Sequence, residues 1–321
     1  MLRSELDRRR AERARDRYLG PLRRYGPRVA LGLVLGATSI LSAVGLVGAQ
    51  RIARPSPFHF PDRPENYGLT YEAVRFPAAV DNVPIAGWLF PDPGRKRRLV
   101  VVVPGYRSHK AHLLREYVRW LTASFGVLAI DPRGSGESGA APFSFGDDER
   151  RDVAAAVAFG KARGYQRIAL FGTSAGGAAA ISEGAHDPLV RTIITDGAPA
   201  GIHLGISGYL AGKGYPAPEL FAWAILAGLF FHLRHPIGGA DAQKHVASVS
   251  PRPLLLIHGE RDRVIPVASQ RALAAAADPR RTAVLTFPEA DHVSAMERSP
   301  HRLHRHVYET TVLEMLHKTL D

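Results

Sequence analysis

The 321-residue chain contains no cysteine. Disulfides, thiolate metal sites and a cysteine nucleophile are thereby excluded, while the redox compartment stays open. There is no His-Glu-x-x-His or comparable ligand spacing, so no metal centre is expected. Repeats and low-complexity tracts are absent as well. Acidic residues are in deficit, with 30 Asp and Glu against 42 Lys and Arg and a formal net charge of +12. Charge of either sign is missing altogether from residues 29–48, VALGLVLGATSILSAVGLVG. Against these deficits, 45% hydrophobic residues are enough for a full core and exclude disorder of the whole chain.

The basic excess would ordinarily raise nucleic-acid binding. Its distribution argues otherwise. Residues 1–28 hold ten Arg against Glu5, Asp7, Glu12 and Asp16, which is half of the net charge, and the uncharged run follows at once. Twenty apolar residues at 1.5 Å each span a bilayer core. The run exceeds the h-region of a signal peptide, although Gly48-Ala49-Gln50 offers small residues near a cleavage site. An uncleaved anchor is the expectation. Arg residues crowd its N-terminal side, while only Arg51, Arg54 and Arg63 follow closely on the other. The positive-inside bias then leaves the N-terminus cytoplasmic and the large domain outside. Gly32-x-x-x-Gly36 could pair two such helices weakly. The expected organisation is a basic segment at 1–28, a transmembrane helix at 29–49, a Pro-rich linker at 50–69 and one domain at 70–321.

Within that domain, short β-branched runs alternate with helical stretches, which predicts an α/β fold: a mostly parallel sheet with helices on both faces. Expected strands are 71–76, 85–90, 99–103, 127–130, 167–171, 192–195, 254–257 and 283–287, the first two an antiparallel hairpin. Helices are expected at 111–123, 147–162, 175–184, 267–276 and 302–320. Nearly sixty residues separate the sixth and seventh strands, far more than a crossover needs, so a lid insertion is expected at about 200–249. Its segment 220–233, LFAWAILAGLFFHL, is apolar on all faces. It reads either as a lid helix packed on the body, or as a wall for an acyl chain or a surface dipping into lipid.

Gly172-Thr173-Ser174-Ala175-Gly176 lies between a predicted strand and an alanine-rich helix. A serine at such a turn is strained and exposed, and the helix beginning at Ala175 points N–H groups toward it. Three further stretches follow strands in the same way. They are Pro104-Gly105-Tyr106, Asp131-Pro132-Arg133-Gly134-Ser135-Gly136-Glu137-Ser138, and His258-Gly259-Glu260-Arg261-Asp262 with Pro266 beyond it. Together the four stretches resemble the α/β-hydrolase superfamily over residues 70–320, in its serine aminopeptidase-like and esterase-lipase-like branches. The resemblance implies an eight-stranded sheet and the order nucleophile, acid, histidine. Ser174 is then the nucleophile and His292, after the last strand, the base. Asp262 is the acid, with Asp196 after the sixth strand as its rival. Asp291, adjacent to His292, and Glu260 are weaker candidates. The oxyanion donors are the backbone N–H groups of Ala175 and of Tyr106 or its neighbour. Asp131 and Arg133 brace their loop, and Ser135 and Ser138 belong to that loop rather than to the chemistry.

The expected reaction is acyl transfer through Ser174, without metal or organic cofactor. An apolar lid and an anchor favour a carboxylic ester or thioester, with an acyl lipid as a candidate substrate. A peptide or amide substrate is the alternative within the fold, and a silent membrane-tethered binding protein the alternative outside it.

Overall fold

Runs such as Leu99-Val100-Val101-Val102-Val103 are apolar on both strand faces, as strands of a parallel sheet covered on both sides must be. In the computed structural model they pair into one eight-stranded sheet. The structure describes residues 2–56, 62–239, 241–296 and 302–321, with side chains from residue 25 onward and, in the last segment, from residue 304. The arginine side chains of residues 3–24 and the linker residues Pro57 and Pro61 therefore lie outside the described residues.

In chain order the helix α1 (Leu2–Ala53) precedes β1 (Glu72–Pro77), β2 (Pro84–Phe90) and β3 (Arg98–Val103). Then come α2 (Lys110–Leu113), a π turn at Leu114–Val118, α3 (Arg119–Leu121), β4 (Gly126–Ile130), α4 (Glu149–Ala162), β5 (Arg167–Thr173), α5 (Ala175–Gly184) and β6 (Val190–Asp196). The insertion holds α6 (Ile202–Gly212), α7 (Pro218–Leu233) and α8 (Ala242–His245). It is followed by β7 (Leu254–Gly259), α9 (Ala268–Ala276), β8 (Thr282–Phe287) and α10 (Arg302–Leu320). The sheet order is β1-β2-β4-β3-β5-β6-β7-β8. β2 is antiparallel to both neighbours, and all pairs from β4 to β8 are parallel.

Alternating residues of each strand feed two cores. Leu99, Val101, Leu128 and Leu170 face α4, α5 and α9, while Val100, Val102, Ala129 and Phe171 face the α2–α3 segment and α10. Two ion-pair networks, each centred on a buried cation, hold loops to this frame. Arg133 binds Asp152 at 2.8 Å and Asp81 at 2.6 Å, and Lys110 binds Asp131 and, at 2.6 Å, Glu137. Arg133 and Asp131 thus do brace their loop. Ser138 joins them, donating to the Asp131 carbonyl at 2.7 Å, and the chemistry lies elsewhere.

Two expectations need correction. The helix expected at 29–49 is the middle of a helix running from Leu2 to Ala53. Residues 50–53, expected to open the linker, complete it because the first proline after residue 27 is Pro55, which disfavours helical backbone at Arg54. The helix expected at 111–123 is interrupted by the π turn, which turns Leu114, Tyr117 and Val118 onto the sheet. A third cluster lies outside the sheet. Ala49 and Ala53 of α1 pack with Ile202, Ile206 and Leu210 of α6 and Ala222, Ile225 and Leu229 of α7. Tyr25–Ala53 is long and apolar enough to cross a membrane, and its most apolar window is only 6% buried, unlike the core helix of a soluble domain.

Candidate active site

The site forms at the C-terminal ends of β5, β7 and β8, where ligands bind in open parallel sheets. Ser174 sits between β5 and α5 with φ 52° and ψ −127°, a conformation that costs a non-glycine residue about 1–3 kcal/mol. Glycines make the turn possible. A Cβ on Gly172 would overlap the backbone of Gly176, and one on Gly176 would overlap the carbonyls of Val103 and Pro104. On the opposite side, a Cβ on Gly105 would lie 2.7 Å from Ser174 Cβ. The backbone N–H of Ser174 donates to the Asp196 carbonyl at 2.8 Å, which fixes the turn to β6.

His292, in the loop after β8, lies between Ser174 and Asp262. Its Nε2 is 2.9 Å from Ser174 Oγ, and its Nδ1 is 2.7 Å from Asp262 Oδ2. Asp262 Oδ1 accepts the N–H groups of Val264 at 2.8 Å and Ile265 at 2.7 Å. Burial pushes the Asp262 carboxyl up, but hydrogen bonds from His258 and His292, the imidazole charge and the Ile265 N–H outweigh burial and hold it at about 2. An ionised carboxylate only accepts hydrogen bonds, so it fixes the proton on His292 Nδ1. Nε2 is left as the acceptor that can take the serine proton.

The structure brings together Ser174, His292 and Asp262, and it uses the other candidates differently. Asp196 is buried, and its Oδ2 accepts the hydroxyls of Tyr308 at 2.9 Å and Tyr117 at 3.1 Å. Burial pushes its carboxyl up. Asp291 is directed to backbone, accepting the N–H of Arg263 at 3.0 Å and of His292 at 2.8 Å. Glu260 is exposed, its N–H paired to the Phe287 carbonyl. Ala175 opens α5 beside Ser174, and Tyr106 follows Gly105 across from it. Both line a cavity of about 40 Å³ over Ser174 that is walled by Phe145, Ile206, Val264 and Ile265.

Three participants escape the sequence. His258, buried at the end of β7, donates from Nε2 to the Ile265 carbonyl at 2.8 Å and lies 3.3 Å from Asp262 Oδ2. Its imidazole is pushed down by burial but raised further by Asp262 and the Ile265 carbonyl. Its place next to Gly259 in the stretch that also carries Asp262 was the available signal. Ile52 of α1 and Tyr209 of α6 also line the cavity over Ser174, and no local pattern points to either.

Known proteins agree with this architecture. Residues 94–232 match a family model described as serine aminopeptidase, S33. The uncharacterized protein YfhR of Escherichia coli strain K12 is 27% identical over 276 residues, covering 82% of this chain and 87% of its own. A monoacylglycerol lipase of Mycolicibacterium smegmatis is 29% identical over 211 residues, 55% of this chain and 74% of its own. Among solved structures, the Pyrococcus furiosus esterase Pf2001 superposes with a TM-score of 0.68 at 22% identity, over 84% of this chain and 100% of its own. A bacterial membrane phospholipase A superposes with a TM-score of 0.55 at 22% identity, over 90% and 97%. The fold is that of the α/β hydrolases.

Proposed function

We propose that the protein is a membrane-anchored serine hydrolase that cleaves a carboxylic ester or thioester through an acyl-enzyme, with Ser174, His292 and Asp262 as its catalytic residues. The observation that carries this reading is the unbroken chain of contacts from Ser174 Oγ through both ring nitrogens of His292 to Asp262. Ser174 Oγ attacks the carbonyl carbon as its proton passes to His292 Nε2, and Asp262 steadies the imidazolium. The Ala175 and Tyr106 N–H groups are the donors for the resulting oxyanion. Collapse expels the leaving alcohol or thiol with the proton from Nε2. Water then repeats the sequence and frees the acid.

An ester is favoured over a peptide because the cavity above Ser174 is lined by apolar and aromatic side chains and, among the described residues, carries no carboxylate to hold a substrate's α-amine. The named lipase and esterase relatives support the same class. α1 supports anchoring by the length and composition of Tyr25–Ala53, whose most apolar window is only 6% buried. The N-terminus is cytoplasmic and the catalytic domain lies on the other side. Gly32 and Gly36 face open space, the arrangement a weak helix pair would use.

A fluorophosphonate probe tests the chemistry. The intact protein reacts and hydrolyses p-nitrophenyl butyrate, whereas Ser174→Ala does neither. Butyrate hydrolysis surviving in Ser174→Ala would sink the assignment.

A further inference from the structure

A cleft of about 880 Å³, within the roughly 300–1,000 Å³ of small-molecule sites, lies between α1, α6 and α7. One wall is α1 itself. Ala43, Val44, Val47, Gly48, Arg51 and Ile52 recur at helical spacing and form a single stripe, rising about 14 Å along the axis. Facing them are Tyr209 and Leu210 of α6 and Phe221 and Ile225 of α7. The cleft ends at Ile52, Tyr106 and Tyr209, and the same three side chains line the cavity over Ser174. Two compartments therefore share one partition, and the outer compartment is walled by the part of α1 that nears the end of the apolar run.

Two further observations fix this geometry. α1 crosses α7 at backbone contact distance, because a Cβ on Gly45 would overlap the Ala224 carbonyl and one on Gly228 would overlap the Gly45 carbonyl. The end of α1 is tied to the domain by the Phe143 N–H, which donates to the Ala53 carbonyl at 2.9 Å. Both packed helices also expose large apolar side chains, Leu220, Trp223 and Phe231 on α7 and Leu46 and Val47 on α1.

Resting on the serine-hydrolase reading above, we propose that α1 is part of the substrate site as well as the anchor. A single acyl chain of a membrane lipid ester lies along the Val44–Val47–Ile52 stripe, and it reaches Ser174 sideways from the bilayer between α1, α6 and α7. The occupant is an acyl chain because the walls are apolar, the charged lining is confined to Arg51, Arg107 and Lys213, and the cleft leads to the nucleophile. Lipid is the source because one wall is the helix that the bilayer surrounds.

The test uses the full chain in phosphatidylcholine vesicles and compares hydrolysis of p-nitrophenyl palmitate with that of p-nitrophenyl butyrate. Val47→Trp fills the cleft and lowers the palmitate-to-butyrate ratio at least about tenfold, the scale of apolar pocket discrimination. Leu46→Trp adds the same bulk to the same turn outside the cleft lining, and it leaves the ratio unchanged. Labelling by a small fluorophosphonate verifies that each variant folds, and Val44→Trp carries the test if Val47→Trp does not label. An unchanged ratio in the cleft variant, or an equal fall in Leu46→Trp, overturns the proposal. Butyrate hydrolysis surviving in Ser174→Ala would instead overturn the chemistry on which it rests.

Discussion

Replacing Asp262 by Asn gives the sharpest test of the site because the neighbouring groups dictate how the amide must sit. Oδ1 of Asp262 accepts two backbone N–H groups, from Val264 and Ile265, and Oδ2 faces the nitrogens of His292 and His258. An asparagine keeps its carbonyl oxygen on the two N–H donors, since an NH₂ there would oppose both of them. Its NH₂ then points at His292 Nδ1, 2.7 Å away in the wild type. A donor in that place forces Nδ1 to be the acceptor, which moves the ring proton to Nε2. Nε2–H cannot take the Ser174 proton. The same tautomer reversal in a serine-protease triad costs about 10⁴ in kcat, roughly 5.5 kcal/mol of barrier. Asp262→Asn should lower butyrate turnover and the fluorophosphonate labelling rate by about that factor, while circular dichroism stays native. A loss of less than about tenfold would refute the argument, because His292 would then be oriented by another carboxylate, and Asp196 is the remaining buried one near it.

Other expectations follow from single contacts. Gly105→Ala puts a Cβ 2.7 Å from that of Ser174, so turnover should fall at least about 100-fold with little change in melting temperature; unimpaired turnover would show that the loop gives way. Asp92→Ala leaves Arg98, whose side chain is 4% exposed, with only Asp321 and the Ser124 carbonyl as partners, and should cost about 1–3 kcal/mol in denaturant unfolding. Glu149 is buried and accepts from the Ser144 N–H and hydroxyl at 3.0 Å each; burial pushes its carboxyl from 4.5 up to about 7. Between those values the folded state holds more protons than the unfolded one, so stability falls as pH rises by up to about 1.4 kcal/mol per unit. Glu149→Gln should remove that slope whatever its uniform effect, and an unaltered slope between pH 4.5 and 7 counts against the assignment. In sealed cells, external protease should digest the catalytic domain and spare the N-terminal segment, and the reverse pattern would invert the orientation.

The sheet was legible because strands buried on both faces are short apolar runs separated by turn residues, and each candidate loop stood directly after one of them. Ser174 and His292 were found by their position after β5 and β8. The choice between Asp262 and Asp196 was not decidable locally, since both follow strands that end at the site. It turns on partners far away in sequence: Tyr117 and Tyr308 occupy Asp196, while His292 meets Asp262, which its own neighbours Val264, Ile265 and His258 hold in place. The packing of α1 on α7 was illegible for a related reason. An apolar run tells how long a helix avoids water, and it carries no information on which of its faces meets protein.

Glycine in α1 shows the consequence. Gly32 and Gly36 have nothing within 4 Å of a built Cβ, whereas Gly45 and Gly48, on later turns, lie against α7. The same residue type marks open surface in one half of the helix and close contact with α7 in the other. Among the described residues, the hydrogen bonds that position Ser174, His292 and Asp262 come from the ends of β6 and β7 and from the loops beyond the sheet, and none comes from α1. Changes along the helix stripe should therefore alter which acyl groups reach the serine, and changes in the loops should alter how fast any of them reacts. This separation lets chain-length preference and turnover be measured as independent quantities in one protein.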